Sequence, residues 1–366
     1  MLYPRVYIII LNWNGWRDTI ECLESIQRLD YPNYCTVVVD NGSQDDSCER
    51  IHAWARGNIL VKSRYVDSCG SEKPVSVVTY SRTDAENGGI PEIEQELSLL
   101  AAAKKIVLIQ SGENLGFAGG CNIGIRYVLA VGGEYVWLLN NDTVVEYTAL
   151  GGTTFVLESS EAWHIVTGQI RSYDNPSKIW NCGGKLTCYG ARRYYYNERQ
   201  VAEVPQRGFK RISFITGCAA IFRTPLFKKL GLLSNLFFFG EEDFELSQRL
   251  KHRGYKLACL YNAIIYHKVG SSINNATFGK NMGQVYIYYL NRFIDMRYYW
   301  RKSLWKTWRF IYFFYISLLL KLKHGVSWSD LWSLRKALLK DSTDLDGVNR
   351  ATFEQALRYK FKKGMK

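Results

Sequence analysis

Four runs, VYIIIL at 6–11, TVVV at 36–39, IVLI at 106–109 and YVWLL at 135–139, carry no charge and show no polar–apolar alternation. A strand with one wet face alternates; these do not, so each must be buried on both faces, as in a parallel sheet covered by helices. The intervening segments supply those helices. Residues 18–29 place Ile20, Leu23, Ile26 and Leu29 on one side, and Ser47 is placed to cap a helix running towards residue 56. A third helix follows the turn SGENLGFAGGCN and reaches about residue 131. The pattern predicts an α/β domain with a mostly parallel central sheet flanked by helices, which binds ligands beyond the carboxyl ends of its strands. Asp40, Asn114 and the trio Asn140, Asn141 and Asp142 fall at those ends.

Later segments change character. Residues 58–105 are polar and contain Gly and Pro, which suggests an insertion outside the core sheet; 168–196 alternates and turns like an antiparallel excursion. The acids at 241–243 open a helix ending near Gly254, and strands are predicted over 256–260 and 263–267. Nine cysteines with no CxxC pair argue for reduced thiols in a cytosolic protein, and the N-terminus has no signal-peptide layout. The net charge of +13 is confined to one end: residues 268–366 carry 19 Lys and Arg against 6 Asp and Glu, whereas the first 267 carry 28 of each sign. These divisions give a main domain at 1–272 and a basic, aromatic-rich helical region at 273–366.

Several motifs can carry chemistry. Asn140 and Asp142 present an amide oxygen and a carboxylate one residue apart, a pattern that holds Mg²⁺ or Mn²⁺ through hard oxygens and equally one that makes a polar turn. His267 ends a strand before KVGSS and can add an imidazole to that site. In GEEDFELSQRL, Glu242 and Asp243 are favourable helix-start charges; they also follow the apolar run 236–239, beside which a carboxylate rises towards general-base range. The glycines at 116, 119, 120 and 124 fit neither GxGxxG nor GxxxxGK[ST], which argues against an NAD enzyme or a P-loop. The backbone around Gly116 can lie against a nucleotide, or the glycines can serve close packing.

The ordered set IIILNWNG, VVVDNGSQDDS, ENLGFAGGCNIGI, WLLNNDTVV, TGCAAIFR, GEEDFELSQRLKHRGY and YHKVGSS resembles family 2 glycosyltransferases of the GT-A fold, in particular the rhamnosyltransferase-like and galactofuranosyltransferase-like branch. The resemblance covers roughly residues 5–272. It implies that Asp40, helped by Asn12, binds the nucleobase and that Asn114, Asn122 and Asn141 line the nucleotide-sugar site. It implies that Asn140, Asn141 and Asp142 replace the family's Asp-x-Asp metal motif, with His267 as the metal-binding histidine and Asp243 as the catalytic base. The chemistry implied is inverting, metal-dependent transfer of a hexose, a rhamnose-like sugar favoured, from a dTDP- or UDP-sugar to a hydroxyl of a glycan or lipid-linked glycan in cell-surface polysaccharide synthesis. Other readings are an inactive sugar-nucleotide-binding relative and a nucleotidyltransferase, though NWNGW lacks the basic phosphate loop the latter needs.

At the basic end, the apolar run 310–320 spans 11 residues, short of the roughly 20 that cross a bilayer. The expectation is either a helical cap on the catalytic domain or interfacial helices on the inner face of the plasma membrane, with aromatics at headgroup depth and cations on anionic lipid. Single-stranded nucleic acid suits the same composition, but a lipid-linked acceptor explains it together with the catalytic motifs, so nucleic acid is not expected. Homo-oligomers are compatible with the sequence.

Overall fold

The computed structural model describes residues 3–66, 72–268 and 282–357. Strand β1 (Val6–Asn12) lies at mid-sheet, with β2 (Tyr34–Asp40) and β5 (Tyr135–Asn140) parallel on either side; β4 (Lys105–Gln110) and β3 (Ser76–Ser81) extend the parallel half beyond β2. Alternate residues of β1 enter separate cores: Val6, Ile8 and Ile10 pack on one face, Tyr7 and Ile9 on the other. This two-sided burial is what the unbroken apolar runs require. Helices α1 (Trp16–Ile26), α2 (Ser47–Ala55) and α5 (Gly116–Ala130) cover the faces.

On the other side of β5 the sheet becomes mixed. Strand β12 (Ala219–Arg223) runs antiparallel between β5 and β7 (Ile165–Ser172), and β13 (Leu257–His267) returns parallel to β7, with β11 (Phe209–Ile212) antiparallel at the edge. The short β6 (Thr143–Val145) pairs with the end of β13, setting Thr143 opposite His267. Strand β8 (Ile179–Asn181) pairs with β7, and β9 (Gly184–Leu186) and β10 (Arg192–Tyr194) form a separate hairpin. Helix α8 (Glu242–His252) precedes β13.

Three expectations are corrected. The segment 58–105 is not outside the sheet, because it contributes the edge strand β3, which pairs along its whole length with β4; α3 (Arg82–Glu86) and α4 (Pro91–Leu99) follow it. The two strands expected at 256–267 are one strand with a register shift between Leu260 and Ile264. Ser47 is the first residue of α2 rather than its cap, and its hydroxyl turns back to Asp45 Oδ1 at 2.5 Å.

The basic region is helical: α9 (Met282–Tyr299), α10 (Lys302–His324), α11 (Trp328–Asp344) and α12 (Arg350–Leu357). It shares a third core with the preceding α/β part, in which Phe214, Phe237 and Phe244 pack with Val285, Phe293 and Trp305. The expected boundary at 272/273, and the turn after Lys268, lie outside the described residues. Among the described residues, no helix is long and apolar enough to cross a membrane.

Candidate active site

The carboxyl ends of β1 and β2 meet in a network of short polar side chains. Asn12 Nδ2 donates to Asp40 Oδ1 at 2.8 Å, and Thr19 Oγ1 donates to Asn12 Oδ1 at 2.7 Å. The Ser43 hydroxyl also donates to Asp40 Oδ1 at 2.6 Å, and its backbone N–H to Oδ2 at 3.1 Å. A carboxylate has about four acceptor positions, so Asp40, fixed in orientation, keeps capacity for a further donor. Asn141 joins this network from the turn after β5 by donating to Thr19 Oγ1 at 3.1 Å. Asn114 does a different job: its Oδ1 accepts from Gly116 N–H at 2.9 Å and from Asn41 Nδ2 at 3.1 Å, closing the turn that starts α5.

Asp142, in the turn between β5 and β6, and His267, at the end of β13, come together, with Asp142 Oδ1 3.2 Å from His267 Nε2 and both side chains buried. Trp180 of β8 packs against the imidazole, ring centres 4.6 Å apart. Two further atoms, Oδ1 of Asn140, two residues before Asp142, and Nδ1 of His267, are buried without a hydrogen-bond partner. A buried amide oxygen left unpaired costs free energy, which marks it as a ligand atom in waiting. The donor set of carboxylate, imidazole and amide oxygen therefore fits a divalent cation. Among the described residues, no three His, Cys, Asp or Glu side chains converge, so an ion there must draw its remaining ligands from water or from a substrate's oxygens, as Mg²⁺ commonly does.

The start of α8 supplies the second pair of acids. Asp243 Oδ1 accepts the Gly217 N–H at 2.7 Å, and Glu242 Oε2 accepts the Gly240 N–H at 2.6 Å. Desolvation pushes Asp243 up to about 6, against the Gly217 hydrogen bond and the Arg192 charge; desolvation and then the Asp243 charge push Glu242 up to about 7. Arg192 lies with its guanidinium over the rings of Phe214, Tyr194 and Tyr288 at 5.4–5.9 Å.

Residues 217 and 218 connect the two acid sites. Gly217 holds Asp243 through its N–H, and the next residue, Cys218, accepts the Asn140 N–H at 2.9 Å through its carbonyl. Burial raises the Cys218 thiol well above its usual range, and the charges of Asp142 and Asp243 add to it, so one side chain senses both carboxylates. A side chain at Gly217 would put its Cβ 3.0 Å from Asp243 Oδ1 and 3.2 Å from the Phe117 ring.

The structure departs from the sequence-based assignment at two positions. Asn122 is buried and fully engaged: it donates to the Leu233 carbonyl at 2.8 Å and to Asn235 Oδ1 at 3.1 Å, and accepts the Leu233 N–H at 2.9 Å. It pins the 233–235 loop to α5 and does not line a nucleotide cleft. Gly116, with φ +75°, is buried with its Cβ position 2.2 Å from the Phe238 carbonyl oxygen, and Gly120 and Gly124 lie against Leu11 and Ile9. Close packing suffices to account for these glycines. Sequence reasoning missed Thr19, Asn41, Ser43, Gly217 and Arg192. The first three lie in or beside the polar strand ends already singled out; Gly217 lies in the TGCAAIFR motif without a role read for it, nothing local marks Arg192, and both reach Asp243 only through tertiary folding.

A family model described as "Glycosyltransferase like family 2" matches residues 70–286, more than half of the chain. The chain belongs to that family. The nucleotidyltransferase alternative falls with this match. The galactofuranosyltransferase GlfT1 of Mycobacterium tuberculosis, in strains CDC 1551 and H37Rv, is 24% identical over 166 residues, which cover 44% of this chain and 51% of the relative. The chain thus spans about half the length of the curated relatives it matches. Among solved structures, the mannosyltransferase PcManGT of Pyrobaculum calidifontis, in complex with GDP-Man and Mn²⁺, is similar at TM-score 0.49 and 14% identity, covering 94% of this chain and 88% of that one. GalNAc-T7 with UDP, GalNAc and Mn²⁺ is similar at TM-score 0.47 and 13% identity, covering 72% and 44%. In this family 2 chain, α9 runs past the end of the matched residues yet packs against the start of α8, where Arg292 pairs with Glu241.

Proposed function

We propose that the chain is an inverting glycosyltransferase of the GT-A type, moving a sugar from a nucleotide-diphosphate donor to a hydroxyl of a glycan or lipid-linked glycan acceptor. A dTDP- or UDP-sugar with a rhamnose-like hexose is the favoured donor, and cell-surface polysaccharide synthesis the favoured setting. The observation that carries the reading is the bridge at 217–218, which ties the raised carboxylate of Asp243 to the backbone of Asn140, two residues before the Asp142 that meets His267. In this reading the fixed Asp40 carboxylate, oriented by Asn12 and Ser43, accepts N–H groups of the nucleobase, and Asn141 borders the sugar nucleotide. Asp142 and His267, with Asn140 Oδ1, would hold Mn²⁺ or Mg²⁺, which when bound supplies positive charge to the leaving diphosphate. Asp243 takes the proton of the acceptor hydroxyl as that oxygen bonds to the anomeric carbon from the face opposite the diphosphate. The anomeric configuration inverts.

Asp243 suits this role. A base titrating near 6 is ionised at neutral pH yet basic enough to accept a proton from a partly bonded hydroxyl. In this reading the enzyme sits peripherally on the cytoplasmic face of the membrane, its basic helices towards the lipid and a lipid-linked acceptor within reach; the cationic composition of those helices supports it. Thermal-shift titration with UDP-, dTDP- and GDP-sugars, each with and without Mn²⁺, tests the donor assignment. A donor that binds the folded state raises its melting temperature by mass action, and no shift with any of the three would remove the nucleotide-sugar reading.

The metal assignment has its own test. Asp142→Asn keeps the size of the side chain and removes its charge, so donor affinity measured by calorimetry should lose its dependence on Mn²⁺ while the melting temperature of the free protein stays close to wild type. Wild-type and variant proteins with the same affinity for donor, with and without Mn²⁺, would exclude Asp142 from a metal site.

A further inference from the structure

Helix α10 has two apolar faces, and the protein covers only one. Trp305, Trp308, Tyr312, Phe313, Ile316 and Leu320 are buried in the third core. On the opposite side, Ile311, Phe314, Leu318 and Leu322 recur at intervals of three and four residues and stand in water, with Phe314 74% and Leu322 76% exposed. The face continues onto α11, where Trp328 and Trp332, one turn apart, are 65% and 66% exposed. Cations stitch the two helices along this seam: the Arg335 guanidinium lies 4.7 Å from the Phe310 ring centre and 5.5 Å from that of Trp332, and Lys321 Nζ lies 5.7 Å from that of Trp328. A soluble helix is polar on its outer face, and contiguous exposed apolar surface marks an interaction site.

Charge identifies the occupant. Helix α10 contains no acid, and residues 301–340 carry nine Lys and Arg against one Asp. A second copy of the chain would bring this same cationic surface against itself, and the chain beyond residue 357, RYKFKKGMK, is itself basic. Neither is complementary. An anionic bilayer is: its phosphates meet Lys302, Lys321, Lys323 and Lys336, while its acyl boundary takes Phe314, Leu318, Leu322 and the two tryptophans.

We infer that the outer face of α10, with the first turns of α11, lies flat on a membrane rich in anionic lipid. The inference deepens the peripheral placement proposed above and names the surface that makes it, but it is independent of the donor chemistry. Trp308 Nε1 of the buried face donates to the Tyr189 carbonyl at 3.0 Å, so the helix that rests on lipid also braces the approach to the β9–β10 hairpin carrying Arg192. A lipid-linked acceptor would then reach the catalytic carboxylates from the side on which the protein is anchored.

The test uses the full chain and flotation on vesicles of phosphatidylcholine alone or with 30% phosphatidylglycerol. Wild type should float with the anionic vesicles, more weakly at high salt because headgroup attraction is screened over about 8–10 Å. Phe314→Glu with Leu318→Glu should lower partitioning about a hundredfold, since two large apolar side chains leave the interface. Phe155→Glu, an exposed apolar position on α6 (Ala149–Glu158), which packs into a different core from α10, should float as wild type does. Trp328→Ser with Trp332→Ser gives a second pair at the seam, should the first not fold. Equal flotation of wild type and both double variants overturns the inference, as does light scattering that shows a wild-type dimer becoming a monomer in the variants, the signature of a second copy on this face. Donor hydrolysis measured in parallel separates the two readings. Its persistence in protein that never floats would leave glycosyl transfer standing and remove the membrane face.

Discussion

Asp243→Asn should lower kcat by about 10²–10⁴, the usual contribution of a positioned general base, while leaving donor affinity within a few fold. The reason lies in how the carboxylate is held. Its Oδ1 accepts the Gly217 N–H, and the amide oxygen of asparagine can accept the same bond, so shape and anchorage persist and only proton acceptance is lost. Glu242→Gln should cost less, because its own anchor is the Gly240 N–H and not the 217–218 bridge. The pH dependence provides a second readout. With Asp243 raised to about 6, wild-type kcat/KM should fall as pH drops through that value. Stability should respond in the opposite sense: between the ordinary value of 3.8 and about 6 the folded chain holds a proton that the unfolded chain has released, so wild type loses stability as pH rises through this window. Asp243→Asn should therefore melt higher than wild type at pH 8 and equal to it at pH 3.5. An inactive Glu242→Gln beside an active Asp243→Asn would move the base by one residue.

Much of the fold was legible because buried parallel strands leave little choice of residue. Each unbroken apolar run became a strand of the central sheet, and the polar strand ends lie on one rim. Strand β3 escaped because it is an edge: only Tyr80 of its six residues is buried, so no apolar run announces it. The site divides in the same way. Asp40, Asn12, Asp142 and His267 sit at strand ends, where position along the chain fixes position in space. Asn122 was misread because an asparagine on a helix gives no sign of which way it faces, and here it satisfies the backbone of a loop 111 residues away. The Gly-rich turn was ambiguous for a related reason, since glycine that lets a phosphate approach and glycine that lets a strand approach leave the same letters. The C-terminal helices form the expected cap through one face, in a core shared with Phe214, Phe237 and Phe244, and leave an apolar surface exposed on the other.

The cap reaches into the site, and Arg292→Met should show how deeply. Arg292 is fully buried, as is its partner Glu241, the residue preceding the helix that carries Glu242 and Asp243. Its Nε donates to Glu241 Oε1, Nη2 to Oε2 at 3.3 Å and Nη1 to the Gly190 carbonyl at 2.6 Å, while the guanidinium lies 3.3 Å from the Phe244 ring centre. Neighbours on α9 add to the hold: Asn291 Nδ2 donates to the Phe239 carbonyl at 3.0 Å, and the Tyr299 hydroxyl to Glu245 Oε1 at 3.1 Å. The segment 239–245 is thus clamped at both ends. Removing the guanidinium leaves a buried carboxylate without its counter-ion, which costs about 3–5 kcal/mol. Burial already raises Glu241, opposed chiefly by Arg292; without that charge it rises further, so the loss should be greatest at high pH and relieved in acid as the carboxyl takes up a proton. Arg292→Lys keeps the charge but loses the fork and should fall between. Pairing Arg292→Met with Glu241→Leu removes both charges and should recover much of the stability, yet kcat should stay low because α8 still lacks its anchor. Denaturant midpoints at pH 5 and 8, with turnover of each variant, decide the matter. If Arg292→Met unfolds at the wild-type midpoint, or the double variant loses as much as the two single changes added, the pair is not what holds the catalytic helix in place.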